Sequence, residues 1–358
     1  MPIIQPPVAP LPEGIDLTGQ VAIVTGASAG IGLEIARQLL QRRLSTLILA
    51  VRNTAKGEAV RDDLLRDRQI TSANPSASVH VLRLDMDDYA SVRDFIAEFK
   101  SRVSELHILM LNAGVGLLRR ELAATGHERN NQVNYLSNVL LALGLLPVME
   151  ATAGSSGRPG RLSVTGSRLY AMTSLQKRPP KDETTVLGHF DDLRGDKASP
   201  PPPALTGYLD SKFLWMLFQA ELTRQYPRPM PPGWWSTRGE GDGDGDGEAA
   251  PRVIVNTFCP GMVNTGFSNA LPWYIRLPVK AVVALRGRAV EQAGWIALNA
   301  AVVAGAETHG ALLADTAVEE PCPFIVSAEG QRLRRMLWNE TMEEMEPLVT
   351  LPGWMRRL

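Results

Sequence analysis

One short segment, residues 25–32 with the sequence TGASAGIG, constrains the fold of this chain more than any other. It follows the apolar run VAIV at 21–24, which has the length and composition of a buried parallel strand. Apolar residues then recur at the spacing of an amphipathic helix: Ile31, Ile35, Ala36, Leu39 and Leu40. A strand, a glycine turn and a helix in this order bind the pyrophosphate of a dinucleotide, because the glycines allow close backbone approach and the helix N-terminus presents free N–H groups.

Composition and charge argue against several classes of protein. The 358 residues are 44% hydrophobic and 21% charged, as in an ordinary globular chain. A formal net charge of −1 gives no electrostatic reason to expect nucleic acid or an anionic membrane as a partner. Two cysteines, Cys259 and Cys322, are too few for a disulfide framework, and no metal site is expected. The first residues lack the pattern of a secretory signal, so we expect a cytoplasmic protein with a proline-rich arm laid over its domain.

A second group of residues has the chemistry of proton transfer. Tyr208 and Lys212 are spaced i and i+4, which places them on one face of a predicted helix. An ammonium group beside a phenol favours the phenolate and lowers its pKa from the usual value near 10. The pair follows a predicted strand at 161–167 that ends in Ser167. Ser163 and Thr165 are less suitable than Ser167, because both fall inside the strand, where side chains pack.

The G-x-x-x-G-x-G loop, the strand that ends in Ser167 and the Y-x-x-x-K of Tyr208 and Lys212 together resemble the short-chain dehydrogenase/reductase family. The long spacing between Ser167 and Tyr208, and the sequence FDDL within it, are similar to the retinol-dehydrogenase-like and fungal branches. The resemblance covers about residues 17–337. Predicted strands alternate with helices through almost the whole chain, which gives a single α/β domain over residues 1–358: a Rossmann-type, doubly wound parallel sheet with helices on both faces. Surface insertions are expected at about 170–205 and about 227–251, the latter disordered because it is rich in Pro, Gly and acid.

The resemblance also implies an activity, the transfer of hydride between a nicotinamide and a carbonyl or alcohol. Tyr208 would donate a proton to the carbonyl oxygen, and Ser167 would bond the same oxygen. Lys212 would lower the pKa of Tyr208 and hold the nicotinamide ribose. Asn134, in an apolar helical pattern at 128–149, would perturb the helix and hold a water on the proton-relay path. We expect Asn130, Asn131 and Asn138 in the same pattern to face solvent instead.

The resemblance implies further residues that contact the cofactor. The glycine loop would cradle the pyrophosphate, Asp85 and Met86 would flank the adenine, and the segment after the sixth strand would face the nicotinamide. The full set implied by the resemblance is Gly26, Ser28, Ala29, Gly30, Ile31, Gly32, Arg52, Asp85, Met86, Asn112, Ala113, Gly114, Tyr208, Lys212, Pro260, Gly261, Val263 and Thr265. Asp85 could instead cap the predicted helix at 87–102, and both roles are compatible.

Arg52 stands at the end of the second predicted strand, 46–51, where this fold meets the adenosine ribose. An acidic residue there binds a free 2′-hydroxyl, whereas a guanidinium suits a 2′-phosphate. The sequence therefore predicts NADP(H) as the cofactor, and the alternative is an arginine that is merely solvated. Ala29 stands where some NADP enzymes carry a basic residue.

Fungal members of the resembled family modify polyketide and related natural products in secondary metabolism, so we expect a bulky ketone or the matching secondary alcohol. Two alternatives remain: non-redox chemistry such as dehydration, epimerisation or cyclisation in the same pocket, and a catalytically silent cofactor-binding scaffold. Residues 266–288 would form a substrate lid, with a membrane-surface helix as the alternative. We expect a monomer or a homodimer, and a C-terminal helix at 331–346 that packs on its own domain.

Overall fold

The computed structural model describes residues 5–117, 119–180, 185–192, 205–226, 251–266 and 273–358. The strands in these ranges are β1 (Val21–Thr25), β2 (Thr46–Val51), β3 (Ser78–Arg83), β4 (Ile108–Leu111), β5 (Gly160–Thr165), β6 (Val253–Cys259), β7 (Leu312–Ala314) and β8 (Ala317–Glu319). They form one sheet in the order β3-β2-β1-β4-β5-β6-β7-β8. All neighbouring pairs are parallel except β7 and β8, which are antiparallel. The strand order reverses between β1 and β4, and ligands bind at such switch points.

Helices cover both faces of the sheet. They are α1 (Gly30–Gln41), α2 (Thr54–Arg66), α3 (Arg68–Ala73), α4 (Tyr89–Arg102), α5 (Arg129–Ser156), α6 (Val186–Asp191), α7 (Thr206–Gln225), α8 (Trp273–Arg286), α9 (Val290–Leu298), α10 (Pro323–Val326) and α11 (Ala328–Met345). Successive strand residues point to opposite faces, so Ile23 packs in the apolar cluster beneath α4, α5 and α7. Its neighbours Ala22 and Val24 pack in the cluster with α1 and α9. The predicted doubly wound α/β fold is confirmed.

Two features were not expected from the sequence: the described part of 170–205 is packed in the core, and the sheet has a further strand, β8. The described part of 170–205 belongs to the core, since Tyr170, Leu175 and Phe190 are at most 3% exposed. The rest of that segment, with its proline run, and residues 227–250 lie outside the described residues. The short strand β8 was not predicted, because a three-residue segment carries too little periodicity to be recognised.

The C-terminal helix α11 packs on its own domain, as expected. Trp338 stacks on Phe218 of α7 with ring centroids 5.4 Å apart. His127 joins α11 to α6: its Nδ1 lies 2.7 Å from Asp191 Oδ2 and its Nε2 lies 3.2 Å from Glu344 Oε1. Burial pulls the pKa of His127 down, but the two hydrogen-bonded carboxylates outweigh it and raise the pKa to about 9. The imidazolium therefore fastens the inserted helix α6 to the end of the chain.

Helix α5 is the central helix of one layer. Among the described residues it is the one helix that is long and apolar enough to cross a bilayer by composition, with a mean hydropathy of 1.6. However, 78% of its most apolar window is buried inside the protein. It therefore fits the role of a core helix packed on the sheet.

Candidate active site

The glycine loop has a geometry that only glycine can supply at two positions. Gly26 has a φ of +67°, and a Cβ there would lie 3.1 Å from Ala113 Cα. A Cβ at Gly32 would lie 2.5 Å from both the Gly26 carbonyl oxygen and Asn112 Nδ2. The close approach joins the start of α1 to the end of β4.

The N-terminus of α1 is open to an anion. Ala29 precedes the helix in an extended conformation and makes no side-chain cap, and the first turn carries no acidic residue. Ser28 and Ile31 flank this end and are half-buried. Helix N-termini with free N–H groups and a positive dipole bind phosphate. Thr265 reaches the same place, since a Cβ on Gly30 would lie 3.6 Å from the Thr265 Cβ. These residues fit the pyrophosphate of a dinucleotide.

Asn112 ties together three strand ends. Its Nδ2 donates to the Thr25 carbonyl at 3.0 Å, and its Oδ1 accepts from Thr165 Oγ1 at 3.2 Å. The backbone N–H groups of Asn112 and Ala113 both donate to Thr25 Oγ1 at 2.9 Å. The carboxyl ends of β1, β4 and β5 are thereby held at fixed spacing. Gly114 follows, and a Cβ there would lie 3.0 Å from Asn134 Oδ1.

The predicted adenosine end is polar and exposed. The Arg52 side chain is 68% exposed, and its nearest carboxylate, Asp87, is 3.8 Å away. That carboxylate already accepts two hydrogen bonds from Arg129, at 2.8 and 2.6 Å. Asp85 does not cap the following helix; Asp88 does, by accepting from the Ala90 N–H at 2.9 Å. Beside Asp85, Met86 is buried, with its side chain in the core.

The proton-transfer residues converge where β5 and α7 meet. The side chains of Ser167 and Tyr208 lie close together, near enough for Ser167 to lower the pKa of the phenol. Ser167 Oγ also accepts from the Leu169 N–H at 3.2 Å. Lys212 Nζ lies 5.7 Å from the centroid of the Tyr208 ring and donates to the Thr165 carbonyl at 2.6 Å. Tyr208 and Lys212, which are one helical turn apart, thus lie close to Ser167, although Ser167 is more than thirty residues earlier in the chain.

Burial reverses the expected direction of the Tyr208 pKa. Burial, with a smaller contribution from the Cys259 thiol, raises the pKa of Tyr208 to about 12, while the hydrogen bond with Ser167 lowers it. Burial also lowers the pKa of Lys212 to about 8, because the ammonium group loses its hydration. Burial therefore shifts the Tyr208 pKa in the direction opposite to the one expected from Lys212. The phenol instead keeps its proton across the physiological range, which is the form that can donate it.

Asn134 lies in a π-helical turn, Gln132–Leu136, of α5. Its Oδ1 accepts from the Val115 N–H at 2.8 Å, and its Nδ2 donates to the Val115 carbonyl at 2.8 Å and to Ser211 Oγ at 2.9 Å. The Asn134 side chain therefore joins the segment after β4 to helix α7. Its partner on α7, Ser211, lies between Tyr208 and Lys212 in the sequence. The predicted perturbation of the helix is present, and a π turn inside an α-helix is a frequent mark of a functional site.

The expectation that Asn130, Asn131 and Asn138 face solvent is wrong. Each is 1% exposed. Asn130 Oδ1 accepts from the Leu117 N–H at 3.0 Å, and Asn138 Nδ2 donates to the Val133 and Asn134 carbonyls at 3.1 Å. The π turn displaces backbone carbonyls from their usual partners, and a buried amide satisfies them. Periodicity alone carries no sign of this arrangement.

The family pattern at the end of β5 is altered for a steric reason. Gly166 stands where the resembled family has its first serine, and a Cβ there would lie 2.2 Å from Thr257 Cγ2 on β6. Thr257 is itself fixed, since its Oγ1 accepts from Trp215 Nε1 at 2.9 Å and donates to Gln219 Oε1 at 2.6 Å. The glycine accommodates the neighbouring strand and leaves Ser167 in place.

The segment after β6 is held by residues that the sequence did not single out. Gly261 has a φ of +74°, and Gln5 of the N-terminal arm brackets the next residue, Met262. Gln5 Nε2 donates to the Met262 carbonyl and Gln5 Oε1 accepts from its N–H, both at 2.8 Å. Val263 pairs with Arg288, whose Nη1 donates to the Pro260 carbonyl at 3.3 Å. The spacing between these residues, more than 250 positions for Gln5, leaves no local signal in the sequence.

Helix α8 occupies the region where we expected a lid. Several of its apolar side chains are exposed: Tyr274 at 60%, Leu277 at 59% and Leu285 at 82%. Residues 267–272, which precede it, lie outside the described residues. The lid and the membrane-surface helix both stay predictions.

The fold and this site define a class of protein, a dinucleotide-binding α/β protein with a Ser–Tyr–Lys group beside the glycine loop. Residues 20–168 match the profile of the short chain dehydrogenase family. The chain is 46% identical to the short chain dehydrogenase macD of Penicillium terrestre over 98% of each chain. It is 43% identical to the short-chain dehydrogenase/reductase tropG of Talaromyces stipitatus over 97% of each. The chain belongs to the short-chain dehydrogenase/reductase family, a family of oxidoreductases.

Solved structures agree on the fold. The RhlG–NADP complex of Pseudomonas aeruginosa is 20% identical, with a TM-score of 0.57 over 85% of this chain and 97% of that one. An NADP-bound 3-oxoacyl (acyl-carrier-protein) reductase from Agrobacterium tumefaciens is also 20% identical, with a TM-score of 0.57 over 84% of this chain and 94% of that one. At this identity the likeness establishes the shared fold.

Proposed function

We propose that the protein is an NADP(H)-dependent oxidoreductase that reduces a ketone, or oxidises the matching secondary alcohol. The observation that carries the proposal is the convergence of Ser167 and Tyr208, with Lys212 on the same helix face as Tyr208, next to the open N-terminus of α1. A scaffold that only binds a dinucleotide needs the glycine loop but has no use for a protonated phenol at the cleft.

The bound nicotinamide would supply or accept the hydride. Tyr208 would give its proton to the carbonyl oxygen as the carbon is reduced, and its raised pKa keeps that proton available. Ser167 would donate a hydrogen bond to the same oxygen and fix its position, so the developing negative charge is met by two hydroxyls. Lys212, whose ammonium is held at the Thr165 carbonyl, would bind the nicotinamide ribose. Asn134 would connect this group to a water relay.

The cofactor preference follows from Arg52. Its guanidinium is mostly exposed, and the carboxylate nearest to it is already bonded to Arg129. It is therefore placed to bind a 2′-phosphate without giving up a strong partner. NADP in the two solved structures described above supports the same preference by analogy.

The substrate would be bulky and apolar, of the kind found among natural products. Support comes from the fungal origin of the relatives, which include macD and tropG. The exposed apolar side chains of α8 could contact such a ligand. We expect the enzyme to act as a monomer or homodimer.

The test is to follow NADPH absorbance with a panel of carbonyl probes, namely ethyl acetoacetate, tetralone, decalone and nitrobenzaldehyde. Wild type should consume NADPH and form one alcohol per NADPH with at least one probe. A product formed without NADPH consumption would favour non-redox chemistry. NADPH binding without any product over the panel and over a set of fungal polyketide ketones would favour a silent scaffold.

A further inference from the structure

The turn between β7 and β8 holds two residues in the left-handed backbone conformation. Ala314 pairs with Ala317, so the turn consists of Asp315 and Thr316 alone. Their φ angles are +53° and +76°. Two-residue hairpins need this left-handed geometry and normally fill it with Asn, Asp or Gly, so the β-branched Thr316 is the outlier of the two. Such strain persists only where the surroundings fix it, and it is concentrated at functional sites.

Two arginines hold the turn through the Asp315 carboxylate. Arg168 Nη1 lies 3.0 Å from one carboxylate oxygen, and Arg288 Nη2 contacts the other. The Asp315 side chain is 13% exposed and that of Arg288 is 4% exposed. The Nε atoms of both arginines are buried and have no hydrogen-bond partner. Asp315 neutralises the buried guanidinium of Arg288, which matters because an unpaired buried charge is costly.

Arg168 connects Asp315 to Ser167 of the proton-transfer group. It follows Ser167 in the chain, and its backbone N–H donates to the Cys259 Sγ at 3.3 Å. Its side chain also contacts Glu319 on β8. The position of Ser167 is therefore set from two sides, by the end of β6 and by the β7–β8 turn.

Arg288 connects Asp315 to residues 260–264, the segment that is expected to face the nicotinamide. Its Nη1 donates to the Pro260 carbonyl at 3.3 Å, and its Nη2 donates to the Pro6 carbonyl at 2.8 Å. Its backbone N–H donates to the Met262 carbonyl at 2.8 Å and its carbonyl accepts from the Asn264 N–H at 3.1 Å. Residues 260–264 thus have few ways to move without moving Arg288.

We propose that Asp315 is a positioning residue, whose carboxylate fixes the spacing between Ser167 and residues 260–264 by holding Arg168 and Arg288 together. It would thereby set the distance between the hydroxyl that binds the carbonyl oxygen and the nicotinamide that exchanges hydride. The left-handed geometry of the turn, which glycine at position 316 would keep, places the carboxylate between the two arginines. This inference rests on the proposed function for its effect on turnover, but not for its effect on cofactor affinity.

The test begins with Asp315→Asn, which keeps the size of the side chain and tolerates the left-handed conformation. We expect kcat with the best carbonyl probe to fall by at least about ten-fold, which corresponds to about 1.4 kcal/mol, and KM for that probe to change less. The Kd for NADPH, measured by fluorescence titration, should rise by at least about three-fold, because residues 260–264 are released. Unchanged kcat and Kd would overturn the proposal.

Two neighbouring substitutions serve as controls. Thr316→Gly relieves the strain of the turn but leaves the carboxylate, so kcat and the NADPH Kd should stay within about two-fold of wild type and the Tm should not fall. Glu319→Gln removes the other carboxylate that contacts Arg168 but breaks no link to Arg288. Its effect on the NADPH Kd should be smaller than that of Asp315→Asn, and an equal effect would overturn the bridging role.

A double-mutant cycle separates positioning from general stability. If Asp315 acts on turnover through Ser167, Asp315→Asn should lower kcat much less in a Ser167→Ala background than in wild type. An equal loss in both backgrounds would overturn the proposal. If Asp315→Asn does not fold, Arg168→Gln takes its place in the same cycle, with the same two outcomes. If wild type reduces no probe, the proposed function fails. The link between Asp315 and residues 260–264 is then still tested by the NADPH Kd, which should rise in Asp315→Asn and stay unchanged in Thr316→Gly.

Discussion

The cofactor preference offers the most quantitative test of how this structure works. Arg52 is 68% exposed, so a charge-assisted bond from it to a 2′-phosphate belongs at the lower end of the usual range, about 1.5 kcal/mol. Its partner Asp87 is bonded twice by Arg129, so little is lost when Arg52 turns to a ligand. About 1.4 kcal/mol is a factor of ten, so we expect NADPH to bind about ten-fold more tightly than NADH.

Replacing Arg52 by Asp should abolish that preference or invert it. The carboxylate repels the 2′-phosphate and accepts hydrogen bonds from a free ribose hydroxyl. The assay is the Kd for NADPH and NADH by fluorescence titration, and the ratio of kcat/KM for the two cofactors. Raising the ionic strength should shrink the wild-type preference, since exposed charges are screened within about 10 Å at about 0.1 M salt.

Arg66→Asp is the matched control for this substitution. It makes the same charge change at a side chain that is 75% exposed, but at the far end of α2 from Arg52. It should leave the NADPH to NADH ratio unchanged. The reasoning is refuted if wild type binds both cofactors equally, or if Arg52→Asp and Arg66→Asp have the same effect.

The remaining predictions concern turnover and stability. Tyr208→Phe should leave the fold and the NADPH Kd intact but lower kcat by orders of magnitude, and kcat within a few-fold of wild type would remove the phenol from the mechanism. His127→Ala should lower the Tm most at about pH 6 and little at about pH 10. The charged His127 stabilises the fold fully below its unfolded pKa of 6.5, and this stabilisation is lost as the pH rises through its folded pKa of about 9. A fall in Tm that does not vary with pH would contradict this prediction. Gly166→Ser should cost about 1–3 kcal/mol in a denaturant titration, because its Cβ meets Thr257, and Thr257→Ser should recover part of that loss. Residues 239–248, GEGDGDGDGE, lie outside the described residues and have no apolar side chain to bury. Deleting them should therefore leave Tm and kcat nearly unchanged. A large fall in Tm would show that the segment packs on the domain.

The sequence alone determined the features that depend on near neighbours in the chain. A strand, a glycine turn and a helix within about twenty residues predict the dinucleotide-binding unit, since the turn geometry and the helix N-terminus are local. The i and i+4 spacing of Tyr208 and Lys212 predicts their shared face for the same reason. The alternation of strands and helices then limits the topology to a doubly wound sheet, which is what the structure has.

The tertiary structure decided whatever depends on groups brought together from distant positions. The Tyr208 pKa rises because the ring is buried, and the i+4 lysine cannot reveal that burial. Asn138 is buried because a π turn leaves carbonyls that its amide must satisfy. Asp315 joins Arg168 to Arg288 through contacts that span 147 and 27 positions of the chain (315 − 168 and 315 − 288). The periodicity of the sequence indicates which face of a helix or strand is apolar. Only the packed fold specifies which polar groups come into contact, and at this site those contacts determine the pKa values and the positions of the functional side chains.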